Sequence, residues 1–144
     1  MIKVDTREKQ NSHITKFFKE NGIEFCTDKT CYIGDYCNTE NPNVYVERKN
    51  SWDELAGNCG RNHDRFKREL ERLDDCGGKM FIVVETNIPL NEWKPKHARK
   101  MTAEQMDKIL TAWAHKHRVS IMTTPKEQAG QWIYKILTGV KANG

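Results

Sequence analysis

The sequence has no apolar run of the roughly 18 to 20 residues that a membrane-spanning helix needs. Its opening residues, MIKVDTREKQ, also lack the apolar segment of a secretion signal. The five cysteines contain no C-x-x-C pair, and an odd number does not suit a closed set of disulfides. We therefore expect a cytoplasmic protein that has reduced thiols, no membrane partner and no organic cofactor.

The cysteines also bear on metal binding, because Cys31, Cys37, Cys59 and His63 could be read as a zinc set. Structural zinc sites prefer ligand pairs that are about two to four residues apart, and the spacing here is looser. The spacing favours free buried thiols, and a zinc site remains the alternative.

Charge of one sign does not dominate the chain, which has 24 basic and 20 acidic side chains and a formal net charge of +4. This balance permits a polyanionic partner but does not require one. The length of 144 residues suits one domain with a real core, so residues 1–144 are expected to form a single unit.

Hydrophobic periodicity predicts an α/β fold, with a mixed central β-sheet flanked by helices. The predicted order is strand, helix, three strands, helix, strand, helix, strand, helix. Ser12 and Ser51 are expected to cap two of the helices, and Pro125 to open the last one. The strands are predicted at 2–4, 23–27, 32–37, 44–49, 79–86 and 119–124.

The segment 86–101 contains two prolines and five basic side chains, which predicts an exposed basic loop or insertion. Few acids neutralise it, so its cations are candidates for contacts with DNA phosphates. They are Lys94, Lys96, His97, Arg99 and Lys100.

Candidate chemistry lies in the stretch YIGDYCNTENPNVYVERKNSWDEL, which predicts an antiparallel hairpin. Alternation along the second strand places Glu47 and Lys49 on one face and Arg48 on the other. Asp35 would then lie opposite or diagonal to Glu47, so that two carboxylates converge. A divalent cation removes their repulsion, and oxygen ligands favour Mg²⁺ or Mn²⁺.

Lys49 would steer an attacking water and stabilise negative charge on a phosphodiester in the transition state. The structural alternative is that Glu47 and Lys49 form a solvated ion pair and that Asp35 merely ends a strand. Taken one residue at a time, that alternative is the commoner case.

Three separated motifs resemble a known family, and this resemblance favours the catalytic interpretation over the structural alternative. VDTRE at 4–8, GDY at 34–36 and VERKNSWDEL at 46–55, followed by GR at 60–61, resemble the nuclease domain of XPF-type structure-specific endonucleases. That group carries the ERCC4 domain and belongs to the PD-(D/E)XK superfamily, whose core is restriction-endonuclease-like. The helix RFKRELERL and the 86–101 segment are more similar to its compact phage and bacterial members.

The resemblance implies a role for each matching residue. Asp35 and Glu47 would be metal ligands together with the backbone carbonyl of Arg48, and Lys49 would be the catalytic lysine. Four further positions would support the site from its edge, and Arg65 stands where the family has a glutamine and becomes a DNA-binding candidate. The four supporting residues are Asp5, Glu8, Asp53 and Arg61.

The resemblance also implies a homodimer formed through late helices, and we expect no helix-hairpin-helix domain within residues 1–144. The expected function is therefore Mg²⁺- or Mn²⁺-dependent hydrolysis of branched DNA such as a flap, fork or Holliday junction, in DNA repair or recombination. Two alternatives remain open: a non-catalytic DNA-binding partner that keeps the fold, and a less selective nickase of duplex DNA or RNA.

Overall fold

A computed structural model describes residues 1–28, 33–96 and 101–139, which form one six-stranded sheet and five α-helices. The strands are β1 (Ile2–Asp5), β2 (Phe25–Asp28), β3 (Tyr36–Asn38), β4 (Val44–Lys49), β5 (Lys79–Glu85) and β6 (Val119–Thr124). The helices are α1 (Ser12–Glu20), α2 (Trp52–Cys59), α3 (His63–Asp75), α4 (Ala103–Lys116) and α5 (Ala129–Thr138). The predicted α/β fold with a mixed sheet is confirmed.

The strand order across the sheet is β2-β1-β3-β4-β5-β6. β3 runs antiparallel to β1 and β4, whereas β1 with β2, β4 with β5, and β5 with β6 are parallel pairs. The predicted antiparallel hairpin of β3 and β4 is therefore present. β5 has buried residues on both of its faces, as its continuous apolar sequence predicts.

Helices cover both faces of the sheet, and each face has its own core. Helices α2, α3 and α4 pack on one face around Leu55, Leu70 and Ile82. Helices α1 and α5 pack on the other face, around Phe18 and Ile133. β4 contributes to both layers, because alternate side chains point to opposite faces.

The helix starts agree with the prediction in part. Ser51 caps α2 as predicted, since its hydroxyl accepts a hydrogen bond from the Glu54 amide. Ser12 does not cap α1: Asn11 occupies the N-cap position and Ser12 is the first helical residue. The stretch after Ser51 contains two helices, α2 and α3, where one was predicted, because the chain turns between Gly60 and Asn62.

The third strand is shorter than the predicted 32–37 and begins at Tyr36. Gly34 has φ +68°, and a Cβ on it would lie 2.7 Å from the carbonyl oxygen of Val46. A regular strand cannot continue through this left-handed residue. The chain therefore bends directly before Asp35.

The described part of the segment 86–101, which is residues 86–96 and 101, is less exposed than predicted. Trp93 is buried, and its indole nitrogen donates to Oδ2 of Asp53 at 3.3 Å. The Trp52 indole donates to the carbonyl of Ile88 at 2.7 Å. These aromatic anchors hold residues 88–93 against α2, although Lys94 and Lys96 remain exposed.

Candidate active site

Asp35 and Glu47 are brought together at the open end of the β3–β4 hairpin. The pairing of Tyr36 with Val46 puts the residue before β3 beside Glu47. The Asp35 amide donates to the Val46 carbonyl at 2.7 Å, and the Arg48 amide donates to Oδ2 of Asp35 at 2.8 Å. The side chains of Asp35 and Glu47 border the same pocket.

Burial and neighbouring negative charges raise the pKa of both carboxylates. Burial, followed by the negative charge of Glu8, raises the pKa of Asp35 to about 7. Burial, followed by the charge of Asp35, raises the pKa of Glu47 well above its ordinary value. The raised pKa values mean that, without a cation, the pair favours keeping a proton. A bound cation can replace that proton.

Lys49 completes the cluster on the same face of β4. Its Nζ lies 3.3 Å from Oε1 of Glu47 and 4.0 Å from Oε1 of Glu54. Burial would lower the pKa of Lys49, but the charges of Glu47, Asp35 and Glu54 outweigh it and raise the pKa. Lys49 is therefore a permanent cation that can stabilise anionic charge but cannot serve as a base at neutral pH.

Two clefts meet at these three side chains. One has a volume of about 280 Å³ and is closed on its far side by α3, with Arg65 and Glu69 in its wall. The other has a volume of about 390 Å³ and extends over Glu8 to Gln10. We call the first the catalytic pocket and the second the loop cleft. Asp35, Glu47 and Lys49 are thus reachable from two sides.

The side chain of Arg48 lies on the opposite face, as the alternation predicts, in a buried ionic network. Its guanidinium donates to Oε2 of Glu8 at 2.6 Å, to the Lys9 carbonyl at 2.6 Å, and to Glu85. Glu85 also contacts Nε2 of His13 at 2.6 Å. Burial lowers the pKa of Arg48, but the hydrogen bond and charge of Glu8 outweigh it, so the pKa is raised.

The four supporting residues differ in their burial and in their hydrogen-bond partners. Glu8 borders the loop cleft, but its carboxylate accepts hydrogen bonds from the Arg48 guanidinium and from the Tyr36 hydroxyl, the latter at 2.6 Å. Asp5 is buried and accepts two hydrogen bonds from the Arg7 guanidinium, at 2.9 and 3.0 Å. Burial alone would raise the pKa of Asp5, but Arg7 outweighs it and leaves the pKa lowered.

Asp53 and Arg61 do not border either cleft. Asp53 accepts from the Trp93 indole and, at 3.1 Å, from the Lys96 amide, so it ties the basic segment to α2. Arg61 is exposed in the turn between α2 and α3.

The DNA-binding candidates are spread over two regions. Arg65 is exposed at the wall of the catalytic pocket, and Lys94 and Lys96 are exposed on the segment beside α2. Arg99 and Lys100, like His97, lie outside the described residues. The structure thus brings one of the described candidates, Arg65, to the carboxylates.

Sequence reasoning overlooked three charged residues of the catalytic pocket, which are Arg7, Glu54 and Glu69. Arg7 borders both clefts, and it stands inside the VDTRE motif, which is the signal that could have identified it. Glu69 accepts a hydrogen bond from the Gly34 amide at 2.6 Å. Nothing in the helix RFKRELERL distinguishes Glu69 from its solvated neighbours Glu71 and Arg68.

The donor set at the hairpin suits a hard cation that keeps some of its waters. Over residues 1–28, 33–96 and 101–139, no group of three or more His, Cys, Asp or Glu side chains is arranged to hold a metal. Two carboxylates with a raised pKa and one backbone carbonyl nevertheless match the few protein ligands that Mg²⁺ takes. The residues present therefore fit Mg²⁺ or Mn²⁺.

The cysteines in the described part of the chain are free thiols: Cys26, Cys37, Cys59 and Cys76. Burial raises the pKa of Cys59 to about 12, so it stays a thiol. The alternative zinc set includes Cys31, which lies outside the described residues.

Comparison with known proteins identifies the family to which this chain belongs. Residues 4–136 match the ERCC4 domain, so the chain belongs to the ERCC4 domain family. No curated protein matches the sequence significantly.

Solved structures of XPF from Aeropyrum pernix share the fold. One has a TM-score of 0.66 at 20% identity and covers 99% of this chain and 63% of the other. A second, in complex with DNA, has a TM-score of 0.64 at 18% identity and covers 95% of this chain and 62% of the other. The fold is thus XPF-like, and the chain spans less than two thirds of the length of those structures. None of the helices in the described residues is long and apolar enough to cross a membrane.

Proposed function

We propose that this chain is a Mg²⁺- or Mn²⁺-dependent DNA endonuclease that hydrolyses phosphodiester bonds in branched DNA such as flaps, forks or Holliday junctions. One observation carries the proposal. Asp35, Glu47 and Lys49 line the same cleft, with the Lys49 ammonium 3.3 Å from Glu47. Membership of the ERCC4 domain family supports it.

In the proposed mechanism Asp35, Glu47 and the Arg48 carbonyl would hold the cation, which would supply Lewis acidity for an attacking water and the phosphate. Lys49 stabilises the negative charge that develops on the phosphate oxygens. Water is the nucleophile, and no covalent intermediate forms. The Arg48 amide keeps Asp35 oriented through the 2.8 Å hydrogen bond.

Substrate DNA would approach along the catalytic pocket. Arg7 and Arg65 lie beside the carboxylates and can contact the phosphates that flank the cut, since Arg suits bidentate phosphate recognition. Exposed Lys94 and Lys96 extend the positive surface across α2. Their contribution should fall as salt rises.

The first experiment incubates fluorescent duplex, flap, fork and four-way DNA with Mn²⁺, and separately with EDTA. Asp35→Asn, Glu47→Gln and Lys49→Ala should each lower kcat by about a hundredfold or more. Asp75→Asn, an exposed carboxylate at the end of α3, is the matched control and should leave cleavage unchanged.

Each alternative has its own outcome in that experiment. Cleavage that survives both EDTA and Asp35→Asn contradicts the proposed site. DNA that is shifted on a gel but never cut identifies the non-catalytic binding partner. Equal cutting of linear duplex, branched DNA and RNA identifies the less selective nickase. The predicted homodimer is tested separately, by light scattering on a size-exclusion column.

A further inference from the structure

The turn that carries Asp35 is held from outside the sheet by a single acidic side chain of α3. The Gly34 amide donates to Oε1 of Glu69 at 2.6 Å, a short distance for an N–H···O bond and one expected for a charged acceptor. Glu69 comes from the helix that forms the far wall of the catalytic pocket. One hydrogen bond therefore joins the helical layer to the residue next to a proposed metal ligand.

Within the described residues, the other hydrogen bonds of this turn come from the sheet. The Asp35 amide donates to Val46 at 2.7 Å, and the Asp35 carbonyl accepts from the Asp5 amide at 2.9 Å. These bonds fix the position of the Asp35 backbone between β1 and β4. Gly34 itself has no side chain and a left-handed φ of +68°, so it cannot contribute packing of its own.

From these contacts we infer that Glu69 is a positioning residue, which holds the Gly34–Asp35 turn so that the Asp35 carboxylate faces Glu47. The inference rests on the proposed function, because positioning matters only if Asp35 binds the cation. Glu69 is not itself counted as a ligand: no metal-holding group of three acidic, His or Cys side chains occurs in the described ranges. It acts through the Gly34 amide.

Glu69 also adds its charge to the pocket. Among the causes that raise the pKa of Glu47, burial and Asp35 come first and Glu69 follows. A carboxylate this close would strengthen the attraction of the site for a cation. The hydrogen bond and the charge can be separated by substitution, because glutamine keeps the acceptor oxygen and loses the charge.

The experiment measures DNA cleavage and Mn²⁺ affinity for wild type, Glu69→Ala, Glu69→Gln and Glu71→Ala. Glu71 is exposed on the same helix and borders neither cleft, which makes it the matched control. Glu69→Ala should lower kcat by about 10- to 100-fold and weaken Mn²⁺ binding, with KM for DNA within about twofold. Glu69→Gln should keep at least about a third of the activity, and Glu71→Ala all of it.

A second readout follows the contact without any activity. The amide proton of Gly34 should resonate downfield in wild type, shift upfield in Glu69→Ala, and stay close to wild type in Glu69→Gln. Circular dichroism and thermal unfolding confirm that each variant is folded. If Glu69→Ala does not fold, the Glu69→Gln variant and its Gly34 resonance decide the result.

Two results would overturn the inference while the proposed function stands. One is an active wild type whose kcat and Mn²⁺ affinity are unchanged in Glu69→Ala. The other is an equal loss in Glu69→Gln and Glu69→Ala, which would assign the effect to charge and not to the hydrogen bond. A wild type that neither cuts DNA nor binds Mn²⁺ would overturn the proposed function, and the inference with it.

Discussion

Asp35 and Glu47 lie beside each other at the end of a hairpin, where two ordinary surface carboxylates would repel each other. Lys49 lies beside them but does not neutralise both charges, since burial and repulsion still raise both pKa values. Ionising both carboxylates is unfavourable when no cation is bound and becomes favourable when a cation binds between them. This cost is the residue-scale reason to expect proton release on metal binding.

Mn²⁺ affinity should therefore depend on pH. Because the pKa of Asp35 is about 7 in the folded chain, Mn²⁺ should bind about tenfold more tightly at pH 8 than at pH 6. Without metal, the raised pKa of Asp35 has the opposite effect, because it makes the folded chain less stable as pH rises. Asp35 has an ordinary pKa of 3.8, so the folded chain takes up a proton and the free energy of unfolding falls as pH rises from about 4 to about 7.

Calorimetric titration with Mn²⁺ at the two pH values checks the first statement, and urea unfolding in EDTA checks the second. Asp35→Asn should abolish tight binding and flatten the decrease in stability, whereas Asp75→Asn should change neither. An affinity that is the same at pH 6 and pH 8 would show that no proton is displaced.

At the scale of elements, local chemistry explains which parts of the fold were predictable. The order of the strands along the chain and the β3–β4 hairpin follow from alternation and from the turn formers between residues 38 and 43, whereas the order of the strands across the sheet was not predicted. The end of the strand at Gly34 could not be predicted, because a glycine within an apolar run is equally compatible with a strand or a bulge. Glu69 could not be predicted either, since its contact joins residues 35 positions apart.

Gly34 and Gly57 allow a matched test of the hairpin geometry. Gly34→Ala should destabilise the fold by about 1 to 3 kcal/mol and sharply lower cleavage, because φ is +68° and the new Cβ would meet the Val46 carbonyl at 2.7 Å. Gly57→Ala lies within α2 with no atom within 4 Å of a new Cβ, and should stabilise by up to about 1 kcal/mol.

Chemical denaturation and a single-turnover cleavage assay measure both variants. An alanine at Gly34 that leaves stability and cleavage unchanged would contradict the left-handed turn. A Gly57→Ala variant that lost as much stability would show that the effect is general to glycine.

For the whole molecule, β4 connects the two layers. Its Glu47 and Lys49 face the pocket beneath α3, while the Arg48 side chain enters the opposite layer. There Arg48 joins Glu8 from the β1–α1 loop to Glu85 at the end of β5, and Glu85 reaches His13 of α1. No buried side-chain nitrogen or oxygen in the described portion of the chain lacks a hydrogen-bond partner.

Arg48→Ala should therefore be among the most destabilising single changes, at about 3 to 5 kcal/mol, because it leaves Glu8 and Glu85 buried without their cation. Arg61→Ala removes an exposed guanidinium and should change stability by no more than about 0.5 kcal/mol. Urea unfolding of both variants at pH 7 gives the comparison. Loss of less than about 1 kcal/mol in Arg48→Ala would mean that water replaces the guanidinium as the partner of Glu8 and Glu85.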